Sequence, residues 1–195
     1  MNPVKKVLML SLFVIAVLAA GCTNQSPALP VATEPAKQQE TQAAPNGTAA
    51  KSLLPGQEAM QLTIYYATGD ARYVMPEVHT VAKNDHPAQT AIELLIAGPK
   101  NTQLVSVVPK ETKLKNIWVK DHIAYVDFND KLVTGGQGGS ALELLLTAAI
   151  ANTLTEFPDI KKVQILVEGQ KVTTLSGHLD VSEPVGRVDK MIKKQ

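Results

Sequence analysis

The chain of 195 residues has a single cysteine, Cys22. That excludes a disulfide within one chain and any metal centre built on paired cysteines. The four histidines, His79, His86, His122 and His178, are scattered without a His-x-x-x-His spacing, which argues against zinc. No apolar run is long enough for a confident membrane span. Charge of one sign is missing too: 19 basic residues face 18 acidic ones. Without a basic face to neutralise phosphates, nucleic acid is excluded as a partner. There is no internal repeat, the chain is too short for the two lobes of a solute-binding protein, and no motif calls for a cofactor.

What the sequence does have begins at the N-terminus. Residues 1–21 read as a secretory signal, with Lys5 and Lys6 as the basic start, an apolar core at 7–17 and a small-residue exit at 18–21. The segment Leu18-Ala19-Ala20-Gly21-Cys22 resembles the lipobox of bacterial lipoproteins, with Ala19 where that pattern prefers leucine. The resemblance implies cleavage before Cys22 and a diacylglycerol on its sulfur, so the expected location is the extracytoplasmic face of the cell membrane. A plain signal peptide with a free thiol is the alternative. Two acyl chains meet the two-signal requirement for stable anchoring, each buried methylene contributing about 0.8 kcal/mol. Cleavage removes two of the 19 basic residues and leaves 17 against 18 acidic ones, a net charge near −1.

Residues 22–58 are dominated by Pro, Ala, Gln, Thr and Glu and bury too little to fold. They read as a lipid-anchored tether with a reach of about 30 Å as flexible coil. The sequon Asn46-Gly47-Thr48 carries no meaning in a bacterial lipoprotein. Residues 59–189 read as one domain and 190–195 as a basic tail. Arg187, Lys190, Lys193 and Lys194 form a cluster that reads first as solvated charge and only second as a headgroup contact.

Within the domain, Leu62-Thr63-Ile64-Tyr65-Tyr66 is a strand signal. The extended run 74–81 carries Pro76, which lacks a ladder donor and so predicts an edge strand. Pro87 opens a helix with Ala88, Ile92, Leu95 and Ile96 on one face, and Gly98-Pro99 ends it. Runs 114–119 and 123–128 flank Lys120-Asp121-His122 and predict a hairpin whose Ala124, Val126 and Phe128 face the core. Ser140 and Glu143 form an S-x-x-E capping box at the head of a second helix, whose apolar stripe runs from Leu142 to Phe157. A strand at 163–167 turns through Glu168-Gly169-Gln170 into a last strand at 172–175. The expected class is α+β, with two amphipathic helices on one face of a mostly antiparallel or mixed sheet. The other sheet face is then free for partners.

Candidate chemistry is thin. The loop Gly135-Gly136-Gln137-Gly138-Gly139-Ser140 precedes a helix, as a phosphate cradle would, but lacks the lysine of a P-loop. Ser176, His178 and Asp180 suggest a nucleophile, base and orienter, yet they lie in one extended segment with no oxyanion-hole signal, and a supported turn explains them better. Glu93, Asp127, Glu143 and Glu168 include no evident acid pair. Trp118 and Tyr125 on the hairpin would suit carbohydrate stacking, though strand aromatics usually pack.

Several segments in order, Ala97-Gly98-Pro99, Val108-Pro109-Lys110-Glu111-Thr112, Tyr125-Val126-Asp127-Phe128, Gly139-Ser140, Thr153-Leu154-Thr155-Glu156-Phe157-Pro158, Val167-Glu168-Gly169 and Gly177-His178-Leu179-Asp180-Val181-Ser182-Glu183-Pro184, resemble the GerMN domain. The resemblance covers essentially the whole folded region. It implies a noncatalytic extracytoplasmic module with a ring-building-like α+β fold, acting in sporulation, spore germination or envelope assembly through protein association. The expected partners are the membrane, through lipidated Cys22, and envelope proteins, with self-association open and no nucleic acid. A peptidoglycan-binding lipoprotein is the second reading.

Overall fold

The computed structural model describes residues 56–136 and 138–194. Cys22, the signal and the tether up to residue 55 lie outside these residues.

Two strands, β1 (Ala59–Thr68) and β2 (Val74–Ala82), pair antiparallel along their full length. Helix α1 (Pro87–Ala97) follows, with Pro at its first turn and Gly98 at its end at φ 92°. A short β3 (Leu104–Val105) returns to the end of β1, giving a three-stranded sheet ordered β2-β1-β3. β2 is at the edge, as Pro76 requires.

The second sheet starts with the hairpin of β4 (Leu114–Lys120) and β5 (Ile123–Phe128). Its two-residue loop, Asp121-His122, has φ of 51° and 60°, the left-handed pair of a type I′ turn. The short α2 (Lys131–Thr134) and the long α3 (Ser140–Leu154) then form the crossover that a parallel pair needs, and β6 (Lys162–Val167) lies parallel to β5. β7 (Gln170–Lys171) and β8 (Val185–Gly186) both pair antiparallel with β6. The result is an α+β fold in which helices pack with one antiparallel and one mixed sheet.

Residues Ala124, Val126 and Phe128 are at most 1% exposed, as their shared face predicts. α3 departs from a one-sided stripe. From Glu143 to Leu154 every residue except Leu144 is buried, while Leu142 at its head is 39% exposed. The helix touches α1, β1 of the first sheet and β6 of the second. Its non-core positions are therefore filled by Ala, Thr and Asn, which fit between layers. Asn152 makes both a donor and an acceptor bond to the backbone of Val188, at 3.3 and 2.7 Å. Its side chain pairs a buried carbonyl and amide as a strand would.

Two local expectations fail for one reason. Ser140 and Glu143 make no capping box: Gly139 is the N-cap, and no side chain caps it. Glu143 instead turns inward and accepts hydrogen bonds from the backbone N–H groups of Leu175, Ser176 and His178, each at 2.8 Å. For the same reason 172–175 is no strand. β7 stops at Lys171, and the following chain crosses Glu143 as a strap, pinned by buried Leu175 and Val181.

The β6–β7 turn supplies a clean test of backbone conformation. Gly169 sits at φ 77° with open space where a Cβ would be. Gly169→Ala is expected to cost about 1 kcal/mol from left-handed backbone alone, read as a lower urea midpoint at unchanged slope.

Candidate functional site

The edge of β2 is the open surface of the first sheet. The Tyr65 N–H donates to Thr153 Oγ1 at 3.0 Å, away from β2. Its partner Pro76 therefore belongs to a pair that exchanges no ladder bonds, and the missing proline donor leaves nothing unmade. Alternate residues turn the same way, so Val74, Pro76, Val78 and Thr80 direct their backbone groups outward. The Val74 carbonyl is covered, accepting the Lys193 N–H at 3.0 Å where Ile192 bridges Val74. The segment that reads as a basic tail thus runs beside β2, and Arg187 is held by Tyr65, Glu156 and Asp189. Further along the edge, Val78 is 59% exposed and Pro76 and Thr80 are exposed beside it. Their sheet neighbours Thr63 and Gln61 are polar, so the outer face is short, mixed and open.

The inner side of β2 carries a buried polar chain. His79, 2% exposed, places Nε2 2.7 Å from Glu77 Oε1. Glu77 also accepts the backbone N–H groups of Lys100 and Asn101, at 3.0 and 2.8 Å. Burial would raise the Glu77 carboxyl, but these donors and His79 outweigh it and hold it below the usual value. Burial likewise pushes the His79 imidazole below its usual value despite Glu77. His79 is thus neutral, with the proton on Nε2 toward an ionised Glu77. Tyr66 completes the group: its hydroxyl donates to the Leu94 carbonyl at 2.8 Å, and burial pushes its ionisation up.

These shifts fix a pH profile. For His79, lowered from 6.5, the unfolded chain takes up a proton first as pH falls, so its contribution is whole above 6.5 and declines below. Glu77 and Glu143, lowered from 4.5, contribute fully above 4.5 and lose that contribution as pH falls through their folded values. Thermal melts are therefore expected to be flat between about pH 7 and 9, to decline gently below 6.5 and steeply below 4.5, and to fall again above 10, where the unfolded tyrosines ionise and buried Tyr66 does not, with His79→Gln removing the step near 6.5.

A second open patch lies on the β4–β5 hairpin. Trp118 and Tyr125 are a cross-strand pair whose rings stack 5.2 Å apart at 4°. Trp118 is 41% exposed on this face, while Val119, next in the strand and on its other face, is 47% exposed.

The residues that suggested catalysis are used structurally. Ser176 and His178 give their backbone N–H groups to Glu143, and the His178 ring adds Nδ1 at 3.1 Å. Asp180 binds the Ser182 N–H and hydroxyl in an Asx turn. Among the described residues these three side chains make no bond to one another. Burial would raise the Glu143 carboxyl, but the N–H groups of Ser176, Leu175, His178 and Leu179 outweigh it and hold it low. Of the other carboxylates, Asp127 accepts the Gly169 N–H at 2.7 Å and Glu168 pairs with Lys115. His122 Nδ1 lies 3.0 Å from the Asp159 carbonyl and closes the hairpin onto the α3–β6 loop. Among the described residues no three His, Cys, Asp or Glu side chains gather as a metal site, and no helix is long and apolar enough to cross a membrane. Sequence reasoning set His79 aside as one of four scattered histidines and passed over Glu77, although the i, i+2 spacing on a strand puts both on one face.

A family profile described as "Sporulation and spore germination", Germane, matches residues 63–173. No functionally curated protein matches the chain. Among solved structures, the tandem GerMN domains of the sporulation protein GerM from Bacillus subtilis align with a TM-score of 0.58 at 21% identity, covering 66% of this chain and 46% of that one. The chain thus spans about half of the tandem structure. The first GerMN domain alone aligns at 0.57 and 21% identity, with 66% and 98% covered. A candidate lipoprotein from Clostridium perfringens aligns at 0.50 and 28% identity, with 69% and 93% covered. With the profile matching more than half of its residues, the chain belongs to the Germane family, and it shares the fold of the GerMN domains.

Proposed function

We propose that this chain is a lipid-anchored extracytoplasmic GerMN-domain protein that works without catalysis, by protein association in sporulation, spore germination or envelope assembly. Cys22 carries the anchor, residues 1–21 are the removed signal, residues 22–58 are the tether, and 59–189 are the associating domain. The observation that carries the reading is the open β2 edge around Val78, where backbone groups face outward beside an exposed face. Such an edge takes a strand from a partner. The bonds made by Ser176, His178 and Asp180 support a noncatalytic role, because the one arrangement resembling a triad holds the strap in place.

Anchoring is tested by metabolic labelling with palmitate, which is expected to mark the wild type and not Cys22→Ala; equal labelling of both contradicts it. Association is tested by affinity purification with Val78→Pro, which removes an outward N–H from an exposed site without touching the core. Loss of partners with an unchanged melting temperature is expected, and full retention of partners contradicts an edge contact.

The stacked Trp118 and Tyr125 favour a second reading, binding of peptidoglycan sugars on an aromatic face. Pull-down with purified sacculi that fails for Trp118→Ala supports it.

A further inference from the structure

A groove of about 1130 Å³ opens between the inner face of β2 and α1, with the start of β4 as its far wall. Its apolar floor includes Val81, Leu94, Ile96 and Leu114. Two buried polar groups among its lining residues have no hydrogen-bond partner, His79 Nδ1 and Thr112 Oγ1. They belong to residues only 2% and 3% exposed. Because the His79 proton sits on Nε2 toward Glu77, Nδ1 is a bare acceptor, and a buried acceptor without a donor costs about 1–3 kcal/mol. A ligand group that reached these atoms with an N–H or O–H would satisfy them. Its rim carries Lys83, Lys100 and Lys113 against the single carboxylate of Glu93. Lys83 is already paired with Glu58, and Glu77 is engaged by His79 and the backbone N–H groups of Lys100 and Asn101, which leaves Lys100 and Lys113 against Glu93 to set the sign of the exposed rim.

We propose that this groove and the free edge of β2 together bind an extended acidic peptide strand, which adds to β2 and sends a hydroxyl- or amide-bearing side chain down to His79 and Thr112. The inference rests on the reading of β2 as the contact edge and adds the chemistry of what binds there. In an added strand, backbone bonds to Val78 and Thr80 give affinity, and alternate side chains fall into the groove. Acidic residues between them meet Lys100 and Lys113.

The test uses the full chain and two fluorescein-labelled heptapeptides, one alternating Glu with Thr and Val and one with Lys in place of each Glu, followed by fluorescence anisotropy. The acidic peptide is expected to bind, the basic one to fail, and the double variant Lys100→Glu, Lys113→Glu to weaken binding about tenfold while melting normally. The His79 Nδ1 resonance, followed by ¹⁵N NMR of the bound chain, is expected to shift as a donor arrives. Equal binding of both peptides, or an unmoved His79 resonance in the complex, overturns the groove assignment. If Val78→Pro abolishes partner recovery while the lysine reversal does not, the edge contact stands and the acidic-peptide assignment falls. If neither variant affects recovery, both fall.

Discussion

Glu143→Ala is expected to destabilise the domain by about 2–4 kcal/mol, because it strips the acceptor from three backbone N–H groups at once, one buried and two part-buried. The carboxylate is fully buried and receives Leu175, Ser176 and His178 at 2.8 Å. Leu175 is buried, Ser176 half-buried and His178 exposed, so the penalty is largest at the Leu175 N–H, where solvent cannot replace the carboxylate. Its position in the first turn of α3 adds the favourable end of the helix dipole, which the alanine also forgoes. The matched control is Ser140→Ala. If the S-x-x-E pattern worked as a cap, that change would cost about 1 kcal/mol. With Gly139 as N-cap and no side-chain cap present, it is expected to cost under about 0.5 kcal/mol. Urea unfolding of the two variants separates the cases, and comparable losses would contradict the strap.

Ile150→Ala is expected to cost about 2–5 kcal/mol, the other large effect. Ile150 is 1% exposed on a helix that touches α1 and a strand from each sheet, so its surroundings are held from several sides and cannot easily collapse into the space. An alanine at exposed Val78 removes a side chain of similar size and is expected to change stability by under about 0.5 kcal/mol. A loss at Ile150 no greater than at Val78 would mean that α3 does not form the centre of the core.

Much of this architecture was readable where local signals and tertiary demands agree. Pro87 and Gly98 bound α1 because a ring-fixed φ suits a helix start and a positive φ suits its end. Pro76 marked the edge because its missing donor is tolerated only where no ladder bond is due. Asp121-His122 marked the hairpin, and the core face of β5 followed from alternation. Glu143 misled because its motif is complete within four residues, whereas the donors that claim it lie more than thirty residues away. The same long-range pairing dissolved the strand expected at 172–175. The division into two sheets also rests on distant contacts, since β3 returns to β1 and β6 joins β5 across α3. The groove was illegible because His79 and Thr112 come to line one space only after β2 and the segment before β4 are placed.

The measurement that bears most directly on the account is crosslinking in intact cells followed by mass spectrometry, run through growth and sporulation on wild type, Val78→Pro and Cys22→Ala. The account predicts envelope proteins crosslinked to residues along β2, lost in Val78→Pro and reduced when Cys22 is replaced. Crosslinks confined to peptidoglycan, or an unchanged protein set in both variants, would contradict it.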